Sequence, residues 1–169
     1  GMLQRRFAAG VMDSKDDNVK AQAGQWYPSE HASYMAVDQK MTWHEASHYC
    51  DALSCGATLA VVRTPAQQVD VTKLGNDIGE SPWFIGAEAV EGGLWQWHDG
   101  SEVAYSAWAE DSDGEAGEDC AASGPGGGWI MVPCKSESFF MCGQLFCSGF
   151  DCSVFPGWSL RCDAATVVG

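Results

Sequence analysis

The fold of this sequence is decided by the segment that begins Trp-Phe-Ile-Gly at residues 83–86 and continues Trp-Gln-Trp-His-Asp-Gly at residues 95–100. Further along it reads Gly-Glu-Asp-Cys at 117–120, and it ends with Phe-Phe-Met-Cys at 139–142. Short apolar runs separated by Gly, Asp and Ser are typical of short strands joined by turns. The segment therefore predicts a small sheet with long loops.

The order and spacing of these elements resemble the C-type lectin-like domain family. Its members run from a Trp-Ile-Gly-Leu-type strand through a Trp-x-Trp-x-Asp-Gly turn to a Glu-Asp-Cys, a Trp-x-x-x-x-Cys and a final Cys. The resemblance covers roughly residues 33–144 of this chain. It implies an α+β fold in which two helices flank a small looped antiparallel sheet. It also implies the disulfides Cys50–Cys142 and Cys120–Cys134.

The chain divides into three parts. Residues 1–32 are polar and mixed in charge, without a helical or strand period, and predict an N-terminal arm that is irregular or ordered by a partner. Residues 33–144 form the predicted domain, whose first strand is expected over 33–41. Residues 145–169 are a C-terminal extension rich in cysteine and aromatic residues. No apolar run approaches the roughly 18 residues of a membrane-spanning helix, so we expect no membrane span.

Two helices are predicted before the Trp-rich segment. Thr42 is an expected N-cap, and Glu45 three residues later completes a capping box. Four residues at helical spacing share one face of this helix: Trp43, Ala46, Cys50 and Leu53. A short buried strand is expected over 57–63, and a second helix from Pro65 to about Ile78.

The eight cysteines predict disulfides and an oxidising, extracytoplasmic compartment. A zinc site is disfavoured because no Cys-x-x-Cys pair occurs. When the two pairs implied by the family are set aside, the remaining cysteines are Cys55, Cys147, Cys152 and Cys162. If all are oxidised within the chain, every connectivity joins Cys55 to the extension. We favour Cys55–Cys147 with Cys152–Cys162.

The net charge is −14, and it is unevenly spread. Between Lys73 and Lys135 the sequence has twelve acidic residues and no lysine or arginine. Nucleic acid is therefore not expected as a partner, because its phosphates require basic residues. A cation or a basic protein surface is the better match. The alternative is that the acidic residues only keep the protein soluble.

A His-Glu-x-x-His sequence at residues 44–48 could place two imidazoles on one helical face around a zinc ion. The continuation that would supply a third ligand fails, because Asp51 and Ser54 stand at the positions of Gly and His. We expect His44 and His48 to face solvent while Trp43 faces the core. No nucleophile motif occurs, so the sequence does not predict an enzyme.

Calcium-dependent sugar binding is the activity most associated with the family, and its ligands are largely missing. The position of the Glu-Pro-Asn triplet reads Ser-Asp-Gly at 112–114, and the position of Trp-Asn-Asp reads Trp-Ile-Met at 129–131. Only Glu118 remains, so carbohydrate is not the expected partner. A structural calcium held by Asp113, Glu118 and Asp119 is the alternative to a solvated acidic loop without a cofactor.

The sequence thus predicts a non-catalytic binding module that recognises a partner, preferably a protein. Its expected contact surface lies within residues 88–122, with Trp97 and Trp108 expected to be buried. The candidate surface residues are Glu88, Trp95, Trp108, Glu110, Asp111, Asp113 and Glu115. Three alternatives stay open: a structural subunit docked by its arm and extension, a calcium-dependent glycan binder, and an ice-binding protein. Ice binding ranks last, because no Thr-rich face is evident.

Overall fold

The computed structural model describes residues 20–54, 56–79, 82–110, 117 and 119–145. The strands lie in one mixed sheet: β1 (Tyr27–Ser29), β2 (Ala32–Met41), β3 (Ala57–Leu59), β4 (Trp83–Val90), β5 (Leu94–Trp97), β6 (Cys120–Ser123), β7 (Trp129–Val132) and β8 (Ser138–Leu145). The helices are α1 (Trp43–Asp51) and α2 (Pro65–Ile78).

The main path through the sheet is β1-β2-β8-β4-β6-β7, with β3 added on β8 and β5 on β4. All pairs are antiparallel except β4 with β8, where Trp83 lies opposite Phe139. Strands β6 and β7 form a hairpin across the Gly-rich loop 124–128. The structure therefore confirms an α+β fold with two helices and a looped sheet.

Helix α1 begins as the sequence predicts. The Thr42 hydroxyl accepts a hydrogen bond from the Glu45 backbone, and the Glu45 carboxylate accepts one from the Thr42 backbone. Trp43 is buried, and its indole Nε1 donates to the Ile85 carbonyl at 2.9 Å. The prediction for Leu53 was wrong: the helix ends at Asp51, and Leu53 is 39% exposed because it lies past the last turn.

Helix α2 has the predicted bounds, with Thr64 as N-cap and Pro65 in its first turn. The strand before it is shorter than expected. Pairing in β3 stops at Leu59, although residues 60–62 are also buried. This segment passes between β8 and β4. The Ala60 backbone N–H donates to the Met141 carbonyl on β8, and the Ala60 carbonyl accepts from the Gly86 backbone N–H on β4.

Strand β1 lies where the sequence showed no strand period, so the expectation of an irregular arm was wrong for residues 27–29. Tyr27 lies opposite Tyr34 in the β1–β2 pair. The Ser29 hydroxyl donates to the Asp70 carboxylate on α2 at 2.6 Å, which ties this edge of the sheet to the helix.

Among the described residues, two disulfides are present, Cys50–Cys142 and Cys120–Cys134, and both pairings were predicted. The first joins α1 to β8, and the second joins β6 to the turn before β8. The other four cysteines and the pairing expected for them lie outside the described residues: Cys55, Cys147, Cys152 and Cys162. In the described part of the chain, no helix is long and apolar enough to cross a membrane.

Candidate functional site

The hairpin of β4 and β5 presents two different faces. In its register Ala87 lies opposite Trp97, and Glu88 lies opposite Gln96. Side chains alternate between the faces of a strand. Trp97 is only 1% exposed, so its face is the core side. Leu94 and Gln96 consequently project from the outer face, where Leu94 is 64% exposed.

An aromatic cluster supports the inner face of this hairpin. Trp95 lies 4.8 Å from Trp108, measured between ring centroids, and Trp108 lies 5.5 Å from Trp129. Trp97 contacts Trp129 edge to face at 5.5 Å. The Trp129 indole donates to the buried Gln68 amide on α2 at 2.6 Å. Trp97 is buried as predicted. The expectation that Trp108 is buried was wrong, because Trp108, like Trp95, is only half-buried at the edge of the cluster.

The turn that follows β5 is held by a buried carboxylate that the sequence did not single out. The Asp99 side chain is 2% exposed and accepts hydrogen bonds from Ser101 and Arg63. Arg63 also donates to the Ser101 hydroxyl. Burial lowers the pKa of Arg63, and the negative charge of Asp99 opposes that shift. This network fixes the turn that follows β5 against the segment that precedes α2.

His98 ties the same turn to helix α1. Its Nε2 lies 2.9 Å from the Ser47 hydroxyl and 3.5 Å from the Asp51 carboxylate. The hydroxyl and the carboxylate meet the same ring nitrogen. In a hydrolase relay they occupy opposite nitrogens of the imidazole, so this contact positions the turn and does not activate the serine.

The outer face of the hairpin has an apolar centre and an acidic edge. Val90 lies opposite Leu94. Gln96 lies between two glutamates, because it pairs with Glu88 on β4 and forms an isolated β-bridge with Glu102 on its other side. A cavity of about 260 Å³ opens on this face. The residues that line it are Val90, Leu94, Trp95, Gln96, Gly100 and Glu102. Among the ion pairs of the described residues, neither Glu88 nor Glu102 takes part in one.

Most of the predicted acidic loop falls outside the described residues: Asp111, Asp113, Glu115 and Glu118. Of its neighbours, Glu110 and Asp119 are both exposed. Within the described residues, no group of three or more His, Cys, Asp or Glu side chains is placed to hold a metal ion. A structural calcium at this loop stays a prediction.

The strand position that carries Asn and Asp in sugar-binding members is apolar. Ile130 and Met131 lie half-buried on β7, and Ile130 packs against the core cluster that contains Phe84 and Phe140. Neither side chain has an oxygen that could bind Ca²⁺ or a nitrogen that could donate to a sugar hydroxyl.

Comparison with known proteins identifies the family of this chain, because the family model of the lectin C-type domain matches residues 39–144. The chain belongs to the C-type lectin domain family. It is 33% identical over 134 residues to ladderlectin of Oncorhynchus mykiss, a match that covers 73% of this chain and 64% of ladderlectin. It is 29% identical over 126 residues to the hepatic lectin of Gallus gallus, a match that covers 72% of this chain and 59% of that lectin.

Solved structures agree with the fold of this C-type lectin domain. The C-type lectin CEL-I from Cucumaria echinata superimposes with a TM-score of 0.66 at 24% identity, over 74% of this chain and 98% of that one. Members of the family are generally non-enzymatic binding modules. The two disulfides fit an oxidising, extracytoplasmic compartment.

The His-Glu-x-x-His helix of this lectin domain has the predicted orientation, with His44 and His48 exposed while Trp43 is buried. Replacing both histidines by glutamine should change the free energy of unfolding by no more than about 0.5 kcal/mol, as expected for surface sites. Urea titration followed by tryptophan fluorescence measures the change. His98→Gln is the matched control and should cost about 1 kcal/mol, because it loses the contact with Ser47. Stoichiometric zinc that disappears in the double variant would contradict this prediction.

Proposed function

We propose that this domain is a non-catalytic binding module whose partner is a protein with a basic contact surface, bound on the outer face of the β4–β5 hairpin. The observation that carries the proposal is the pattern on that face. Leu94 is 64% exposed at its centre, and Glu88 and Glu102 stand beside it without a lysine or arginine partner among the described ion pairs.

The charge around the hairpin favours a basic partner. Glu91, Glu102 and Glu110 are exposed, and no lysine or arginine occurs between Lys73 and Lys135. A surface of one sign accelerates encounter with the opposite sign, and it repels partners of its own sign. Nucleic acid and other acidic partners are therefore disfavoured at this face.

The apolar centre is suited to supply affinity. Exposed apolar residues surrounded by polar ones are common at protein contacts, where a few desolvated side chains carry most of the binding free energy. Val90 and Leu94 lie opposite each other on this face, and the half-buried Trp95 lines the same cavity. The end of the hairpin is anchored beneath them because Asp99 and Arg63 hold the turn that follows β5.

The hypothesis of calcium-dependent sugar binding is disfavoured on chemical grounds. A site of that type needs carboxylate and amide groups together, since a carboxylate accepts hydrogen bonds but cannot donate them. At the strand position expected to supply both, the side chains are Ile130 and Met131. The domain is accordingly proposed to bind its partner without calcium.

The test compares capture of proteins from the native source on three immobilised domains: wild type, Glu91→Lys/Glu102→Lys and Asp38→Lys. Asp38 is an exposed acid on β2 and serves as the matched control. We expect wild type and the control to retain the same protein in the presence of EDTA. The double variant should retain about tenfold less, because loss of steering charge slows association.

Two outcomes would contradict the proposal. One is equal capture by the double variant and the control. The other is retention of the domain on mannose or galactose resin that EDTA and Glu118→Gln both abolish.

A further inference from the structure

The register of the sheet places three polar side chains in a row on the outer face of the hairpin. Glu88 lies opposite Gln96, and Gln96 lies opposite Glu102. Residues that lie opposite each other project from the same face, and neighbouring strands are about 4.8 Å apart. The two carboxylates therefore stand on either side of the Gln96 amide, roughly 10 Å apart at the backbone.

The cavity beside this row combines an apolar wall with a charged edge. Val90 and Leu94 provide the wall, and Gln96 and Glu102 provide the edge. Its volume of about 260 Å³ lies below the roughly 300–1,000 Å³ of sites for drug-sized ligands. The cavity is thus suited to a single side chain that has an aliphatic stem and a cationic end.

We infer that this cavity receives an arginine side chain of the protein partner. The inference rests on the proposed function and specifies the partner chemistry of the same face. Arginine presents five N–H donors in a planar fork, so it can bond the Glu102 carboxylate and the Gln96 amide oxygen of this cavity at once. Its methylene stem packs on Val90 and Leu94, which covers the most exposed apolar side chain of the hairpin.

Lysine fits this arrangement less well. Its ammonium group is a compact, strongly hydrated point charge, whereas the guanidinium group is more weakly hydrated. The acceptors that line the cavity, the Gln96 amide oxygen and the Glu102 carboxylate, belong to two neighbouring chain segments and do not converge on one point. A fork of donors satisfies such a row better than a point charge does.

The test uses N-acetyl-arginine methylamide as the probe and two-dimensional ¹H–¹⁵N NMR of the full chain as the readout. We expect saturable shifts of the Gln96 side-chain amide and of the Trp95 indole, the latter assigned with Trp95→Phe. The citrulline analogue has nearly the same shape without the charge, and it should bind at least fivefold more weakly. The lysine analogue should bind at least twofold more weakly than the arginine probe.

Variants locate the binding on the chain. Glu102→Gln should weaken binding of the arginine probe at least threefold, and Asp38→Asn, the matched exposed control, should leave it unchanged. Both side chains are exposed, so neither variant is expected to disturb folding. Equal affinity for the arginine and citrulline probes, or no effect of Glu102→Gln, would overturn the inference.

Other occupants give distinguishable results. If Arg5→Gln/Arg6→Gln strengthens probe binding, the chain's own N-terminal segment occupies the cavity, and the inference is wrong. If sedimentation shows a dimer that the probe dissociates, a second copy occupies it, and the inference is wrong. The proposed function is tested separately: charge-dependent capture without arginine binding refutes only this inference. Arginine binding without capture refutes the proposed function and leaves only the cavity's preference for arginine standing.

Discussion

Replacing Cys50 and Cys142 together by alanine should lower the free energy of unfolding by about 4–5 kcal/mol. The bridge joins residues 92 apart in sequence, and in the chain-entropy description a loop of about 100 residues contributes about 4.7 kcal/mol. Both sulfurs also lie in the core cluster that contains Trp43 and Phe140, so their loss leaves unfilled space. Domains of this size are stable by only about 5–15 kcal/mol, so a large share of the stability depends on this bridge. Urea unfolding followed by tryptophan fluorescence measures the loss.

The second bridge provides the matched control. Cys120 and Cys134 are 14 residues apart, and a loop of about 15 residues contributes about 3 kcal/mol. Cys134 is only half-buried, so its replacement leaves less empty space. Cys120→Ala/Cys134→Ala should therefore be the milder variant by about 1–2 kcal/mol. An equal or larger loss for this pair would show that loop length does not set the contribution of the bridges.

Elements whose bonds close over a few residues could be predicted from the sequence. The capping box of α1 joins Thr42 to Glu45, and the start of α2 depends on Thr64 and Pro65. Such signals act within one helical turn, so they do not depend on the tertiary contacts of the rest of the chain. The end of α1 was harder to predict, because the helical spacing continues to Leu53 after the helix has stopped at Asp51.

Features that depend on pairing across the fold were missed. Strand β1 forms because Tyr27–Ser29 meets the edge of β2, and nothing in its own sequence alternates. The Arg63–Asp99 ion pair joins residues 36 apart, and the His98–Ser47 contact joins residues 51 apart. No local pattern carries such contacts, since they follow from the position of the turn after β5 relative to α1 and to the segment before α2.

The surface proposed for the partner lies within residues 88–122, the range predicted from the sequence, but Leu94 at its centre was not singled out. Residues 94–97 read Leu-Trp-Gln-Trp, so apolar side chains fall on both faces and hide the alternation. Trp95 and Trp108 were the natural anchor candidates, and they are half-buried in the aromatic cluster. Leu94 is the exposed apolar residue of the hairpin, and Glu102 lies on the same face only because it forms a bridge with Gln96. That register cannot be predicted without the fold.

Gly86→Ala should lower the free energy of unfolding by about 3–5 kcal/mol, although it adds a single methyl group. A Cβ at this position would lie 2.8 Å from the Leu59 carbonyl oxygen and 3.2 Å from that of Ala60. Both are buried backbone atoms, so β4 must move away from the segment that follows β3. Overpacking costs about 1–3 kcal/mol. The movement also breaks the 2.8 Å hydrogen bond from Gly86 to Ala60, which leaves buried polar groups unpaired at about 1–3 kcal/mol more.

Gly126→Ala is the control for this substitution, because a Cβ there meets no atom within 4 Å. It should be neutral or stabilise the domain by up to about 1 kcal/mol, since alanine restricts the unfolded chain more than glycine does. Urea unfolding gives both values, and hydrogen exchange at the Gly86 amide shows whether its bond to Ala60 is lost. If Gly86→Ala unfolds at the same urea concentration as Gly126→Ala, the close approach of β4 to Leu59 and Ala60 is not what constrains this position. Slow exchange at residue 86 together with a loss near 4 kcal/mol would assign the cost to packing alone.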